Sequence, residues 1–305
     1  MVAITGTRAY VVYGWEDTFG SEASTKDKTF GAGVSVGALR VSRNIEALRT
    51  LGKWFVESYV ARQFTGTWSV NFRLANPWWL QAVFNTVSTS GSEAPYTHEF
   101  TMSGDGRPKS MSIEVGMVGS ENVVRKLLGA VVTGVSITAR VNATVNVRLN
   151  GAYRSEVIGT TLGSGVDETM GVYTFADGSV LLDGTEIGKV QSFDIDLNPN
   201  IELIWGLGDA HAQDYINRVF EAGGRMTVVM EDASYLNDVI DATEHASIEL
   251  NLNNGSEQIK ITLNGIVFGS HDMRLEPEAR VDQDLDIIGA KEVKVTAINN
   301  EASPK

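Results

Sequence analysis

Residues 44–52 read NIEALRTLG, and residues 200–208 read NIELIWGLG. The offset of 156 continues without a gap from 44–84 over 200–240. Ten of those 41 positions are identical: Asn44/Asn200, Ile45/Ile201, Glu46/Glu202, Leu51/Leu207, Gly52/Gly208, Tyr59/Tyr215, Arg62/Arg218, Phe64/Phe220, Leu80/Leu236 and Val83/Val239. Unrelated segments of this length share roughly two or three, so an internal duplication is the stronger account and chance the weaker. A duplicated chain is held to one architecture used twice. The expected division is residues 1–152 and 153–305. The candidate core of the repeat is Ile45, Leu51, Tyr59, Phe64, Leu80 and Val83, with Ile201, Leu207, Tyr215, Phe220, Leu236 and Val239.

The architecture follows from the period-2 pattern at 131–149. Val131, Thr133, Val135, Ile137, Ala139, Val141, Ala143, Val145, Val147 and Leu149 share one parity; Ser136, Thr138, Arg140, Asn142, Asn146 and Arg148 share the other. Such alternation specifies sheet with one buried and one wet face. Single strands seldom exceed ten residues, so the run is expected to turn near Asn142. Beyond the gapless block, 98–116 and 248–265 both read strand, Gly-containing turn, strand, and 142–149 and 291–298 are both alternating strands. Helices are expected only at 76–87 and 232–242, which start on Asn or Asp and place Trp79, Leu80 and Val83, or Tyr235, Leu236 and Val239, on one face. The fold class is mainly β: two tandem β-sandwich or barrel domains, each with a short flanking α-helix.

Composition narrows the function. Cysteine is absent, which removes disulfides, thiolate nucleophiles and cysteine-held zinc. No apolar run of about 18 residues occurs, so no membrane partner is expected. The first twenty residues lack a basic region followed by an apolar stretch, so no secretory signal is read and synthesis in a cytoplasm is the default. A net charge of −13 argues against a chain that wraps nucleic acid. That charge is uneven: residues 1–152 carry 15 Lys and Arg against 11 acids, while 153–305 carry 10 against 27. Drift in surface composition is one reading; the other is that unlike halves are meant to meet, within or between chains.

Catalytic and metal motifs are sparse. His98, His211, His245 and His271 have no metal-binding spacing. Asp194, Asp196, Asn198 and Asn200 resemble part of a calcium loop, but Pro199 stands where the loop needs glycine, and alternating acids suit the wet face of a strand. Asp282, Asp284 and Asp286 read the same way. GAGVSVG at 31–37 runs into an extended pattern rather than a helix, so it is not a dinucleotide loop. No pair of acids is singled out for glycoside hydrolysis. No catalytic residue, cofactor or metal is therefore assigned, and the chain is not read as an enzyme.

Three stretches together resemble the major tail tube proteins of siphovirus-type tailed phages and archaeal tailed viruses. They are YTFADGSVLLDGTEIGKVQSFDIDLNPNIELIWGLGDAHAQDYINRVFEAGGRMTVVMED (173–232), LLGAVVTGVSITARVNATVNVRLNG (127–151) and the polar loop GWEDTFGSEASTKDKTFG (14–31). The resemblance implies a β-sandwich that forms rings stacked into a hollow tail tube, a virion component made in the host cytoplasm. It implies as partners the chain itself, tape measure, tail-terminator and distal tail proteins, and viral DNA passing through the lumen without sequence-specific binding. Single-domain members form hexameric rings; a duplicated chain then implies trimers with pseudo-sixfold symmetry, in which halves of opposite charge alternate. Adhesion is expected from strand edges and aromatics, with Trp54, Phe55, Trp68, Trp78 and Trp79 as candidates and core packing as their alternative. The 14–31 loop is expected to order against an adjacent ring through Trp15, Phe19 and Phe30. Alternatives are a distal tail, baseplate or secretion-tube component, or a carbohydrate-active or carbohydrate-binding tandem β-sandwich.

Overall fold

The alternating sequence becomes twenty-one strands in a computed structural model, which describes residues 5–303 apart from Arg274 and Ala279. The extreme ends of the two expected domains, 1–4 and 304–305, lie outside the described residues. The first strands are β1 (Ala9–Trp15), β2 (Ala32–Ser42), β3 (Glu46–Leu48), β4 (Ser58–Val60), β5 (Thr65–Arg73), β6 (Thr86–Ser90), β7 (Tyr96–Thr101), β8 (Met111–Met117), β9 (Val123–Arg140), β10 (Asn146–Tyr153) and β11 (Ser155–Gly159). The later ones are β12 (Gly178–Leu182), β13 (Thr185–Glu186), β14 (Val190–Asn198), β15 (Ile201–Ile204), β16 (Asp214–Asn217), β17 (Glu221–Val229), β18 (Glu244–Asn253), β19 (Gln258–Met273), β20 (Asp282–Ile288) and β21 (Glu292–Asn299). All strand pairs are antiparallel.

Eight strands run edge to edge in the order β2–β5–β10–β9–β14–β17–β20–β19. Strands β9 and β19 are long because each serves two groups. The first part of β9 pairs with β8 and β11, and its second part with β10 and β14. Likewise β19 pairs first with β21 and later with β20, with β18 along its other edge. Each changes partners beside a glycine with positive φ, Gly129 (φ 64) and Gly265 (φ 63), a conformation that a Cβ opposes.

The pairing pattern is written twice. Strands β1, β2, β5, β8, β9, β10 and β11 connect as β12, β14, β17, β18, β19, β20 and β21 do. Arg148 faces Ser136 as Asp284 faces Asp272, and both pairings slip by one residue at the same step, after Asn150/Gly134 and after Asp286/Ser270. Matching positive φ angles recur at Asn44 and Asn200, Gly52 and Gly208, and Asn142 and Glu278. The offset is 156 up to β5 and β17 but 136 at β9 and β19, because the hairpin β6–β7 has no counterpart between Ile240 and Glu244. This corrects the looser correspondences expected from the sequence: β10 matches β20 rather than 291–298, and β8 matches β18.

The core is one continuous cluster that draws on both halves, from Tyr13, Trp68 and Trp79 to Phe193, Ile261 and Val295. Only the second expected helix is α-helical: α1 (Ser234–Ile240), with the Asp232 carboxylate accepting from the Ser234 amide. Its counterpart is a single 3-10 turn, Trp78–Ala82, in which all five residues are buried. Having no wet face, WWLQA is held as a tight plug, with Trp79 Nε1 donating to the Asn76 carbonyl at 3.0 Å.

The two partner-switching glycines yield a comparison. A Cβ at Gly129 would lie 2.7 Å from Arg154 Cβ and 2.8 Å from the Phe19 ring, whereas at Gly265 it meets only the flexible Lys291 side chain. Gly129→Ala is expected to destabilise by more than the about 1–2 kcal/mol of a left-handed alanine, and Gly265→Ala by about that amount. Urea denaturation of dilute chains measures the difference.

Candidate assembly interface

Strands β9 and β14 meet where the halves join. Ile137 faces Ile195 on the core side, while Thr138 faces Asp194 and Ser136 faces Asp196 on the polar side. Ile137 and Ile195 are 1% and 0% exposed. Across the polar side the Arg140 guanidinium lies 3.5 Å from the Asp194 carboxylate. A second bond is the pairing of β7 with β21.

The third contact is an arm formed by β15 and β16, which lies over the first half. Leu203, Ala212 and Tyr215 form a small apolar cluster with Val131, flanked by Phe19, Ala152, Ile201 and Trp205. Tyr215 is 4% exposed, and its hydroxyl donates to the Pro108 carbonyl at 2.6 Å. Its ring lies 5.0 Å from Phe19 and beneath the Arg107 guanidinium, which pairs with Asp214. That hydrogen bond holds the Asp214 carboxyl below its ordinary range, and burial pushes the Tyr215 phenol up. Arg154 Nε donates to the Ala212 carbonyl at 2.7 Å, and the Phe64 amide donates to the Ala210 carbonyl at 2.7 Å.

The 14–31 loop is fastened to its own chain. The Glu16 carboxylate accepts from the amides of Gly20 and Gly129 and from the hydroxyls of Ser110 and Ser112, all within 2.9 Å. Glu22 bridges Lys26 and Lys126, which hold its carboxyl below the usual range. Phe30 is fully buried against Tyr13 and Phe72. This corrects its expected role: it is core and has no surface left for an adjacent ring. Trp15 and Phe19 are half-buried, Trp15 against Tyr13 and Phe19 against Tyr215.

The same three kinds of surface recur without the intrachain cover. Among the described residues, no strand pairs with the edge of β2 away from β5, or with the edge of β19 at 271–273 away from β20. The hairpin β3–β4 matches the β15–β16 arm but projects from the fold. Tyr59 is 71% exposed where Tyr215 is 4%. Ile45 and the tip residues Leu51, Trp54 and Phe55 are exposed too. Of the candidate core residues, Phe64, Leu80, Val83 and Tyr215 are buried, and Ile201, Phe220, Leu236 and Val239 half-buried. Ile45, Leu51, Tyr59 and Leu207 are corrected to surface, because the first three lie on or beside the projecting β3–β4 hairpin and Leu207 lies between β15 and β16, away from the core. Trp68, Trp78 and Trp79 are core, whereas Trp54 and Phe55 sit on the projecting arm.

The polar face of the eight-stranded sheet is divided by charge. Its first-half strands present Arg40, Arg73, Arg140 and Arg148 and no acid. Its second-half strands present Asp194, Asp196, Glu221, Asp272, Asp282, Asp284 and Asp286, with Arg225. Asp194 and Asp196, the calcium-loop suspects, are thus wet-face strand residues. The histidines are dispersed: His98 bonds Thr89, His211 Asp209, His245 Asp183 and His271 Gln283.

Among the described residues the sheet thus leaves two edges unpaired, the β3–β4 arm projects apolar side chains, and the polar face is divided by charge. The family described as phage tail tube protein matches residues 6–299, and the chain belongs to that family. It is a structural component of the virion tail. No curated protein matches the chain.

Glu16 is the bond that fixes the loop. Glu16→Ala leaves Ser112, which is fully buried, and Ser110 without their acceptor. The loss is expected to reach about 3 kcal/mol, from hydrogen bonds to a charged group and stranded donors. Chemical denaturation measures it, and trypsin should then cut at Lys26 and Lys28.

Proposed function

We propose that the chain is the repeating subunit of the tail tube: two tandem tail-tube domains arising by duplication, three chains to a ring, and rings stacked around a lumen through which viral DNA passes. The observation that carries this reading is the repetition of one interface. Strand β14 covers β9 and the β15–β16 arm covers Val131 within the chain, while β2, β19 and the β3–β4 arm offer the same surfaces outward. An interface whose two sides differ propagates head to tail, and a closed ring satisfies every edge. With two tail-tube units per chain, three chains fill a pseudo-sixfold circle. The domain boundary is best drawn after β11, which lies beyond residue 152 yet pairs with β9.

The polar face of the eight-stranded sheet is the proposed lumen wall. Firm Lys and Arg contacts to phosphate raise affinity and therefore friction. Here acids outnumber arginines, and Arg140 and Arg225 are engaged by Asp194 and Asp286. Contact between stacked rings is assigned to the exposed parts of Trp15 and Phe19, with tape measure, tail-terminator and distal tail proteins as the further partners.

Native mass spectrometry of solubilised rings is expected to give three chains; six would overturn the duplicated-ring reading. Tyr59→Ala should leave the stability of the dilute chain within about 0.5 kcal/mol of the parent, as at other exposed sites, yet impair tube formation. Tyr215→Ala should cost the dilute chain about 3–5 kcal/mol, as for other large buried truncations. Denaturation and negative-stain microscopy separate the two effects.

A further inference from the structure

We infer that the seam between one copy of this chain and the next is a strand pairing in a defined register, β19 of one copy to β2 of the next, with Met273 opposite Leu39, Asp272 opposite Arg40 and His271 opposite Val41. This rests on the ring-forming reading and adds to it the residues that meet.

The register is obtained by transfer within the molecule. On β2, Ala38, Leu39, Arg40 and Val41 face Ser69, Trp68, Thr67 and Gly66 of β5. On β14, Asp194, Ile195, Asp196 and Leu197 face Arg225, Gly224, Gly223 and Ala222 of β17. The partners differ by 156 throughout, so β2 at 38–41 stands where β14 stands at 194–197. On β10, Leu149, Arg148 and Val147 face Val135, Ser136 and Ile137. On β20, Leu285, Asp284 and Gln283 face His271, Asp272 and Met273. The difference is 136 throughout, so 271–273 stand where 135–137 stand. Within the chain, Val135, Ser136 and Ile137 face Leu197, Asp196 and Ile195. Substitution of the equivalents gives the three pairs above.

The chemistry fits the register. Ile137 is 1% exposed in the covered seam, while its equivalent Met273 is 49% exposed, an apolar side chain at an uncovered edge. Leu39, its assigned partner, is half-buried and apolar. Arg40 and Asp272 are both exposed and carry opposite charge on the polar face. The covered seam likewise sets a first-half arginine, Arg140, against a second-half aspartate, Asp194. The arm agrees: the equivalents of Val131 and Ala152, which lie under the β15–β16 arm, are Val267 and Ile288, and Ile288 is 63% exposed. The projecting Tyr59 of the next copy would cover them. A second copy is thus the occupant that matches in strand edge, charge and apolar arm.

The absence of cysteine allows a clean test. A chain carrying Leu39→Cys and Met273→Cys places one thiol at each end of the eight-stranded sheet, seven strand spacings apart, so a disulfide must join two copies. Tubes of this variant, oxidised and run on a denaturing gel, should give covalent trimers that revert to monomers on reduction. The off-register control Val36→Cys with Met273→Cys should remain monomeric. Tubes that assemble but do not cross-link, or that cross-link only in the control, overturn the register while leaving ring formation intact. A ladder beyond three keeps the register and overturns the three-chain ring. Wild-type protein that forms no rings at any concentration overturns the underlying reading and the register with it. Should the cysteine chain fail to assemble, Arg40→Asp should raise the concentration needed for rings about tenfold by setting like charges opposite each other at every seam. Arg40→Asp with Asp272→Arg should restore it, and failure to restore overturns the pairing.

Discussion

Every strand in a sheet has two edges, and an uncovered edge is a standing invitation to pair. The β9–β14 seam satisfies that demand inside the chain, and the rest of the molecule is arranged around it. Because β9 is covered by β14, the two sets of four strands become one sheet of eight, with a single core behind it. The ends of that sheet, β2 and β19 at 271–273, are left unpaired on their outer edges among the described residues. In the proposed ring, the fold thus contains one finished copy of the interface and the two halves of another.

In the proposed ring, the arms and the charges act at different stages of that interface. Apolar cover supplies adhesion: Tyr215 is enclosed by Phe19, Arg107 and the Pro108 carbonyl, while Tyr59 is open. Burying a side chain of that size contributes about 1.5–3 kcal/mol, more than an exposed ion pair can. Charge selects the partner. Arginines without acids on the first-half strands, against a run of aspartates on the second, penalise first-to-first and second-to-second pairings. The opposite signs of the two halves, net +4 and −17, thus appear on this face as well, where they are carried by four arginines on one side and seven acids with one arginine on the other.

What was legible in the sequence follows the same physics. Alternation at 131–149 marked β9, the turn at Asn142 and β10, because a half-buried strand must alternate. The repeat was visible through β5 and β17, where the spacing is constant. It faded afterwards because the β6–β7 hairpin shifts the offset from 156 to 136. A gapless comparison cannot cross such an insertion, although LLGAVV at 127–132 and LNGIVF at 263–268 preserve the glycine at which both strands change partners. The identities at Ile45, Leu51 and Tyr59 were read as core. Hydrophobicity marks an apolar surface without saying whether its cover lies in the same chain, and these three residues are exposed. WWLQA likewise has apolar residues at helical spacing, but with no polar side it settles as a buried turn rather than a surface helix.

The covered seam and the proposed one share a register by construction but are unequal in support. The covered one has the β7–β21 pairing, Phe19 under the arm and the Arg107–Asp214 pair. Among the described residues, the second half has no equivalent of the β6–β7 hairpin or the 14–31 loop. In the proposed ring, three of six seams form as the chain folds, at the high effective concentration of a tether and without the translational cost of association. Only the remaining three depend on protein concentration. The extra elements of the first half then have a physical role: they strengthen the seam that must survive in the free subunit, and leave the weaker one to be made and corrected during growth.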